Sequence, residues 1–480
     1  MLRVSAAFAA LALAAALLEK AEHETQPTKQ NKKLIREAAR PATKKKRRSH
    51  SYYWPSARGH QKQYTFSNFP AAFDLTADLK WSWSNPKGRY DTSPTGVGLD
   101  DEKNIFMSEL SGIRKFSPMG LPVWVWRRPN GSSAELGNAL SLLDGKAFTS
   151  STDGRAYAIS METGNQIWST KVGNASDMSN GFVSAHAGRV VLSTDASEYS
   201  RGKQLRVAAN SNVKCLDAST GAILWQFLPE APVRSFLANF PDDGSVVFQD
   251  IEGKVYRLSL ADGTVMWKNG GIEGSWTDGA AQLGNNGIIY AVSNFGQPDA
   301  APDMPGLAAA YNVTDGSLIW NRTTSLPPSN VPAVGYLQHA SMSLVVPLGV
   351  QGAKGNPTSI VAYDGLTGAE RWTFHGPVQT KDFQAGDFEG GAGRNATGVH
   401  PLTLSAAWSA PAIDAMGTVF VGSQQGKLFS LRDLDGDGDI IGPNEVSAFP
   451  TDASFVGSSG PAFAPGLMAI ASIDQLFVFR

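Results

Sequence analysis

Residues 433–445, DLDGDGDIIGPNE, carry the strongest signal for chemistry in this chain of 480 residues. Acidic residues recur at every second position and Gly438 follows at the sixth, which is the spacing of a calcium-binding loop. The match departs at its end, because position twelve is Asn444 and the glutamate comes one residue late. We expect a structural calcium ion here, against the alternative of an acidic surface turn. The candidate ligands, with the seventh residue offering its backbone carbonyl, are Asp433, Asp435, Asp437, Asp439 and Glu445.

Other reactive side chains do not form a pattern that predicts catalysis. Cys215 is the single cysteine, so no intrachain disulfide can form, and its place in a predicted strand indicates a small buried hydrophobe. No Ser/His/Asp order or carboxylate pair stands out, and we name no catalytic residue. The histidines near predicted strand ends or loops lack metal-ligand spacing and are expected to be surface or rim residues: His186, His339, His375 and His400.

A repeated sequence phrase, for example LDASTGAILW at 216–225, predicts the strands that must position any site. An alternating apolar strand precedes a glycine, and a tryptophan follows four residues after it. Glycine accepts the positive φ of a tight hairpin turn, so we expect the tryptophan on the next strand, packed between neighbouring units. The six pairs are Gly120/Trp124, Gly164/Trp168, Gly221/Trp225, Gly263/Trp267, Gly316/Trp320 and Gly368/Trp372.

Each phrase closes a unit of four predicted antiparallel strands. Successive tryptophans of the phrase lie 44, 57, 42, 53 and 52 residues apart, a period typical of propeller blades. A seventh unit runs from Ala406, and the last stretch, 458–480, supplies only three strands. The strand ADLKWSWS at 77–84, which contains Trp81, would complete it. The sequence therefore predicts an all-β, eight-bladed β-propeller of four-stranded antiparallel blades, its ring closed by an N-terminal strand joining the C-terminal blade.

The repeats resemble those of the pyrroloquinoline quinone (PQQ) repeat family, the quinoprotein alcohol dehydrogenase-like eight-bladed propellers. The resemblance rests on KCLDASTGAILWQF (214–227), VAYDGLTGAERWTF (361–374) and WSAPAIDAMGTVFVGSQQGKLFSL (408–431), and it covers about residues 77–480. It is specific for the repeat and not for an activity, because the phrase is structural.

The resemblance implies one of two functions. Some members are scaffolds that bind no quinone, such as the bacterial outer-membrane assembly lipoprotein, and we expect this function here. The alternative is a PQQ- and calcium-dependent dehydrogenase of alcohols or sugars that works in the central channel. That alternative needs a flat wall under the quinone, for which Trp276 and Trp408 are candidates against a structural role at a strand start. The vicinal disulfide of many soluble members is ruled out by the lone Cys215.

The N-terminal part of the chain differs in composition from the rest. We expect residues 1–21, with an apolar run from Val4 to Leu18, to be a signal peptide or signal anchor. Residues 22–72 are basic and predict a disordered linker, and residues 73–480 form the propeller. Entry into the secretory pathway, to an extracellular or lumenal place, is expected. An anchored membrane protein and a plastid protein with a two-part leader are the alternatives.

Charge and loop lengths bear on the partners. Residues 63–480 hold 28 basic and 39 acidic residues, a balance of −11 that speaks against nucleic acid. Long inserts are expected to surround one face of the disc, where we expect a protein, peptide or glycan partner. These inserts span residues 193–211, 293–306 and 375–408.

Overall fold

The computed structural model describes residues from Ser51 to Arg480, which form one compact unit. It omits residues 57, 60–64, 87–93, 130–135, 137–138, 152, 174–182, 197–208, 234–237, 276, 278–279, 297–302, 329, 339, 351–354, 381–406, 452 and 456–459. Among the described residues, no helix is long and apolar enough to cross a membrane. The leader expected at residues 1–21 lies outside this range.

The described residues form β-strands, and the first four blades follow one another along the chain. Blade 1 contains β2 (Pro94–Leu99), β3 (Ile105–Glu109), β4 (Gly112–Phe116) and β5 (Pro122–Arg127). Blade 2 contains β6 (Ser141–Leu143), β7 (Lys146–Ser151), β8 (Arg155–Ser160) and β9 (Gln166–Lys171). Blade 3 contains β10 (Ser184–His186), β11 (Arg189–Ala196), β12 (Ala209–Asp217) and β13 (Ile223–Phe227). Blade 4 contains β14 (Ser245–Gln249), β15 (Lys254–Ser259) and β16 (Val265–Gly270).

The last four blades complete the ring. Blade 5 contains β17 (Gln282–Leu283), β18 (Ile288–Asn294), β19 (Gly306–Asn312) and β20 (Leu318–Thr323). Blade 6 contains β21 (Ala333–Tyr336), β22 (Met342–Leu348), β23 (Ser359–Asp364) and β24 (Glu370–His375). Blade 7 contains β25 (Ala412–Ile413), β26 (Val419–Ser423), β27 (Lys427–Leu431) and β28 (Val446–Pro450). Blade 8 contains β29 (Ala462–Ala464), β30 (Leu467–Ala471), β31 (Gln475–Phe479) and, from the other end of the sequence, β1 (Leu79–Ser84).

Eight antiparallel sheets confirm the predicted eight-bladed propeller. Within the described residues, seven sheets have four strands, and blade 4 has three with an isolated bridge from Asn239 to Val247 in the place of its first strand. The sheet order β1-β31-β30-β29 confirms that the N-terminal strand completes the C-terminal blade. Leu79 pairs with Phe479 across this closure.

Burial separates the inner from the outer strands of a blade. The first strand, such as β6, is buried throughout, whereas the fourth, such as β9, is exposed or half-buried except at its tryptophan. The first strands therefore line the axis and the fourth strands lie at the periphery. Because successive strands run antiparallel, all turns after first and third strands lie on one face, which we call the turn face. Connections after second and fourth strands lie on the opposite face, which we call the insert face.

The repeated tryptophan joins a blade to the next one at six of the eight junctions. The indole Nε1 of Trp168 donates to the carbonyl of Ala218, at 3.2 Å, in the following blade, and its ring packs on Gly221. A Cβ added to Gly221, where φ is +74°, would lie 2.7 Å from that ring. The glycine thus meets the tryptophan of the preceding blade and not the one four residues ahead. The same arrangement holds at Trp81/Gly120, Trp124/Gly164, Trp225/Gly263, Trp267/Gly316 and Trp320/Gly368.

The expected linker at residues 22–72 requires a correction at its C-terminal part. Tyr52 and Trp54 are 5 % and 2 % exposed and lie in the hydrophobic clusters of blades 1, 2 and 8. Residues from Ser51 onward belong to the same unit as the blades. The physical reason is the density of aromatic residues in YYW (52–54) and YTF (64–66), which a solvated chain would leave exposed to water.

Candidate functional site

The acidic loop lies between β27 and β28 on the turn face, where other blades carry the glycine turn. One carboxylate oxygen from each of Asp433, Asp435 and Asp437 lies within 4.8 Å of the others. Burial, followed by repulsion from neighbouring carboxylates, raises the pKa of Asp433. A cation at this position would offset that repulsion, and oxygen ligands are those that calcium prefers.

The two remaining candidate ligands lie elsewhere in the loop. Glu445 is 5 % exposed, and its carboxylate accepts the backbone N–H groups of Leu434, at 2.7 Å, and Ile441, at 3.1 Å. It holds the two ends of the loop together from the inside and does not join the three aspartates. Asp439 is bridged through its backbone to Thr373 of blade 6.

The loop reaches across to blade 6 and extends its sheet. The N–H of Thr373 in β24 donates to the carbonyl of Gly438 at 3.0 Å, and the N–H of Ile440 donates back to Thr373 at 3.3 Å. Ile440 is 2 % exposed in the cluster that blades 6 and 7 share. The loop therefore connects these blades at the point where a tryptophan–glycine contact connects six other pairs of blades.

A cavity of about 390 Å³ opens between the loop and the edge of blade 6. Arg371 forms an ion pair with Asp364 on its wall. Trp372, the tryptophan of blade 6, is 3 % exposed and also contributes to the lining. The full lining is Leu337, Gln338, Ala340, Asp364, Thr367, Ala369, Glu370, Arg371, Trp372, Asp433 and Gly436.

Residues 51–56, 58–59 and 65–69 form two limbs, together called the axial hairpin, that enter the axial channel from the turn face. In its first limb, the N–H and carbonyl of Trp54 pair with Leu99 of β2, and the carbonyl of Pro55 accepts the N–H of Leu142 of β6 at 2.6 Å. The tip turns between Ser56 and Gly59.

The second limb of the hairpin joins the inner strands of blades 6 and 7. The hydroxyl of Thr65 donates to the carbonyl of Val334 and accepts the N–H of the same residue. The carbonyl of Thr65 accepts the N–H of Ile413 at 2.9 Å, and Ser67 donates to the carbonyl of Ile413 at 2.8 Å. The hairpin therefore provides main-chain partners to inner strands on both sides of the ring.

Buried residues of the chain itself occupy the axial channel at this level, among them Trp54, Arg58 and Thr65. Trp408, a candidate floor for a quinone, is 1 % exposed between blades 6 and 7 and donates from Nε1 to the carbonyl of Leu348. It offers no open face for a flat ring. The other candidate, Trp276, lies outside the described residues.

The remaining candidate residues occupy ordinary positions. Cys215 is fully buried in β12, and burial raises the pKa of its thiol to about 12. His186 contacts Asp242 at 2.7 Å and stacks on Phe240, and His375 ends β24 at the surface. His339 and His400 lie outside the described residues, as do most of the inserts expected to carry a partner site.

The axial hairpin is the feature that sequence reasoning missed. Its residues have no counterpart in the repeat, and the basic run before them indicated a solvated linker. The signal that could have found it is the aromatic content of residues 52–66.

Curated proteins similar to this chain include two enzymes. Tetrathionate hydrolase of Acidithiobacillus ferrooxidans is 25 % identical over 260 residues, which are 49 % of this chain and 48 % of that protein. The beta-alanine-activating enzyme of Drosophila melanogaster is 22 % identical over 178 residues, which are 37 % of this chain and 16 % of that protein. The chain therefore spans about half or less of the length of these relatives.

Solved structures share the fold at low identity. BamB of Moraxella catarrhalis superposes with a TM-score of 0.56 and 15 % identity, over 84 % of this chain and 99 % of that one. A quinohemoprotein alcohol dehydrogenase of Pseudomonas putida gives a TM-score of 0.59 and 11 % identity, over 90 % and 80 % of the two chains. A europium-containing methanol dehydrogenase gives 0.59 and 10 %, over 89 % and 98 %. These likenesses show the fold and leave the activity open.

One family model accounts for the repeats. The model described as outer membrane protein assembly factor BamB matches residues 97–269 and 201–349, together more than half of the chain. The chain is therefore a member of the PQQ-repeat β-propeller family that this model represents.

Proposed function

We propose that this protein is a non-catalytic binding scaffold of the PQQ-repeat family, exported through its apolar leader, with a structural calcium ion in the 433–445 loop. Its partner is a protein, peptide or glycan that binds a face of the disc. The likeness to BamB, an assembly factor by name, supports a scaffold, and the apolar run at residues 4–18 supports export.

The observation that carries the proposal is the axial hairpin. Trp54, Arg58 and Thr65 are 2 %, 1 % and 1 % exposed, so the hairpin is packed into the channel and not laid over it. A dehydrogenase of this fold would need the channel for its quinone and substrate. With the channel occupied at this level, the faces of the disc remain for binding.

The insert face is the better candidate for a partner. The inserts at 193–211, 293–306 and 375–408 follow β11, β18 and β24, which are second or fourth strands, so all three leave from this face. The turn face carries the short glycine turns and the hairpin entrance. Three long connections therefore leave from the same face, and loops on rigid scaffolds commonly carry binding residues.

The calcium ion would have a structural role. The aspartates face one another next to the main-chain pairing of Gly438 and Ile440 with Thr373, so an ion would hold the loop in the shape that reaches blade 6. Binding to the folded state alone stabilises it by about 2.7 kcal/mol at a free concentration one hundred times Kd.

Thermal unfolding of residues 51–480 with calcium and with a chelator tests this ion. We expect calcium to raise the Tm of the unsubstituted protein, and Asp435→Asn or Asp437→Asn to remove most of that rise. Asp315→Asn is the matched control, because Asp315 is an exposed turn aspartate of blade 5 that bonds only within its own turn. An equal calcium response in Asp435→Asn and in the control would contradict the site.

Addition of PQQ with calcium, followed by gel filtration and absorbance, tests the scaffold against the dehydrogenase. We expect no retained quinone and no dye reduction on a panel of alcohols and sugars. A stoichiometric quinone spectrum with turnover would overturn the scaffold. If a captured partner binds the insert face, deletion of residues 384–396 should weaken its binding.

A further inference from the structure

The tip of the axial hairpin carries a guanidinium at the centre of the propeller. Arg58 is 1 % exposed, and its Nη2 donates to the carbonyls of Pro332, at 2.8 Å, and Pro411, at 3.3 Å. These two residues directly precede the inner strands of blades 6 and 7. Nε and Nη1 have no hydrogen-bond partner among the described residues.

No described carboxylate neutralises this charge. The ion pairs of the described residues do not include Arg58, and burial alone lowers the pKa of its guanidinium to about 9. An unpaired buried cation is among the most unfavourable groups a fold can contain, and two carbonyl contacts satisfy only part of its five N–H donors. An anion beside Nε and Nη1 would supply both the missing charge and the missing acceptor.

Small residues from several blades lie around the tip. Ala139, Ala280, Val331 and Ala410 come from four different blades and form one buried cluster next to Pro332 and Pro411. Gly460 also approaches the tip: a Cβ at this residue would lie 3.4 Å from Nη1 and 2.7 Å from the carbonyl of Ala410. This set of small apolar side chains and a glycine offers no polar side chain to the guanidinium, so Nε and Nη1 keep their unmet need for an acceptor.

We propose that Arg58 binds a halide-sized anion at the propeller axis, held by Nε and Nη1 in a site closed by small residues of blades 2, 5, 6 and 7. The bound anion lets a charged hairpin tip pack inside the ring beside the inner strands of blades 6 and 7. The proposal does not depend on the calcium ion or on the partner.

Crystals of residues 51–480 grown or soaked in bromide test the site directly. We expect an anomalous difference peak within hydrogen-bond distance of Arg58 Nε or Nη1. A map without such a peak, or with a peak only at surface arginines, would overturn the proposal. This measurement needs no variant and stays valid if substitutions at Arg58 prevent folding.

A second test measures the Tm in solution while chloride replaces gluconate at constant ionic strength. We expect the Tm of the unsubstituted protein to rise with chloride and to saturate, and Arg58→Met to lose this dependence. Arg322→Met is the control, because Arg322 also donates to carbonyls, those of Gly368 and Thr367, but at the edge of the disc. The same chloride response in Arg58→Met and in the unsubstituted protein would count against the site.

Discussion

At the scale of single residues, Asp250 shows how burial sets a charge state in this ring. It is 2 % exposed in blade 4 and accepts the hydroxyl of Tyr256 and the N–H groups of Glu252 and Lys254. Burial, the largest influence, outweighs these hydrogen bonds and raises the pKa of Asp250 from 3.8 to about 6. The carboxyl group is therefore partly protonated in weak acid, and ionising it opposes folding.

The pH dependence of stability should reveal this group. A pKa raised in the folded state gives stability that is present below pH 4 and lost as pH rises through about 6, by about 3 kcal/mol for a shift of this size. We expect chemical denaturation to show this loss in the unsubstituted protein relative to Asp250→Asn between pH 4 and 7.

The control for Asp250 is an aspartate with the opposite shift. Asp262 is exposed in a turn, and the hydroxyl and N–H of Thr264 hold its pKa below the usual value. Asp262→Asn should therefore lose stability relative to the unsubstituted protein as pH rises through the titration of Asp262. Parallel curves for Asp250→Asn and the unsubstituted protein would mean that Asp250 ionises as freely as it does in water.

At the residue scale, sequence spacing indicates proximity only where the geometry is local. Spacing by two within one loop was enough to bring Asp433, Asp435 and Asp437 together. It was not enough for Glu445, because its direction depends on how the loop closes against Leu434 and Ile441. Arg58 could not be recognised as buried, because nothing near it in sequence indicates that its neighbours will be the inner strands of distant blades.

At the scale of elements, the glycine of each glycine–tryptophan phrase is required twice. It adopts a positive φ, and it leaves room for the tryptophan ring of the preceding blade. The sequence predicts the positive φ, since the turn is local. Only the constant offset of four residues between glycine and tryptophan indicates the need for space. Repetition made the blades predictable, because the same strand, turn and tryptophan recur, whereas the hairpin occurs once and has no period to detect.

A comparison of two glycine-to-alanine substitutions separates these requirements. Gly145 and Gly316 have φ values of +75° and +73°, but a Cβ meets nothing within 4 Å at Gly145 and lies 2.6 Å from the ring of Trp267 at Gly316. We expect Gly145→Ala to cost about 1–2 kcal/mol from backbone strain. Gly316→Ala should cost a further 1–3 kcal/mol from overpacking.

Denaturant unfolding of both variants measures the difference. Equal losses of unfolding free energy would show that the indole shifts aside at little cost. The tryptophan contact would then not be the reason that a glycine is needed at this turn. A larger loss at Gly316 would assign that excess to the junction between blades 4 and 5.

At the scale of the whole molecule, the hairpin and the closing strand make two separate connections across the ring. The hairpin pairs with inner strands at Leu99 and Ile413, and β1 pairs with β31 at the periphery. One joins the ring from inside its axis and the other from its edge. Their contributions can therefore be measured apart.

Truncation at residue 70 removes the hairpin and keeps β1. We expect residues 70–480 to fold with a lower Tm than residues 51–480, because Trp54 alone contributes about 1.5–3 kcal/mol of apolar burial and Thr65 satisfies main-chain groups of blade 6. Scanning calorimetry of both proteins compares them. Equal melting temperatures would mean that the hairpin occupies the channel without stabilising it.

The pairing of Leu79 with Phe479 also decides the order in which the chain can be made and folded. The partners lie 400 residues apart, so β1 leaves the ribosome long before β31 exists. The other seven blades have local connections and can form as they emerge, but β1 keeps an unpaired edge throughout synthesis. An unpaired edge on a nascent chain is a template for association with other chains. Ring closure is thus the last and most non-local step, and the interval before it is when this protein most needs protection by chaperones.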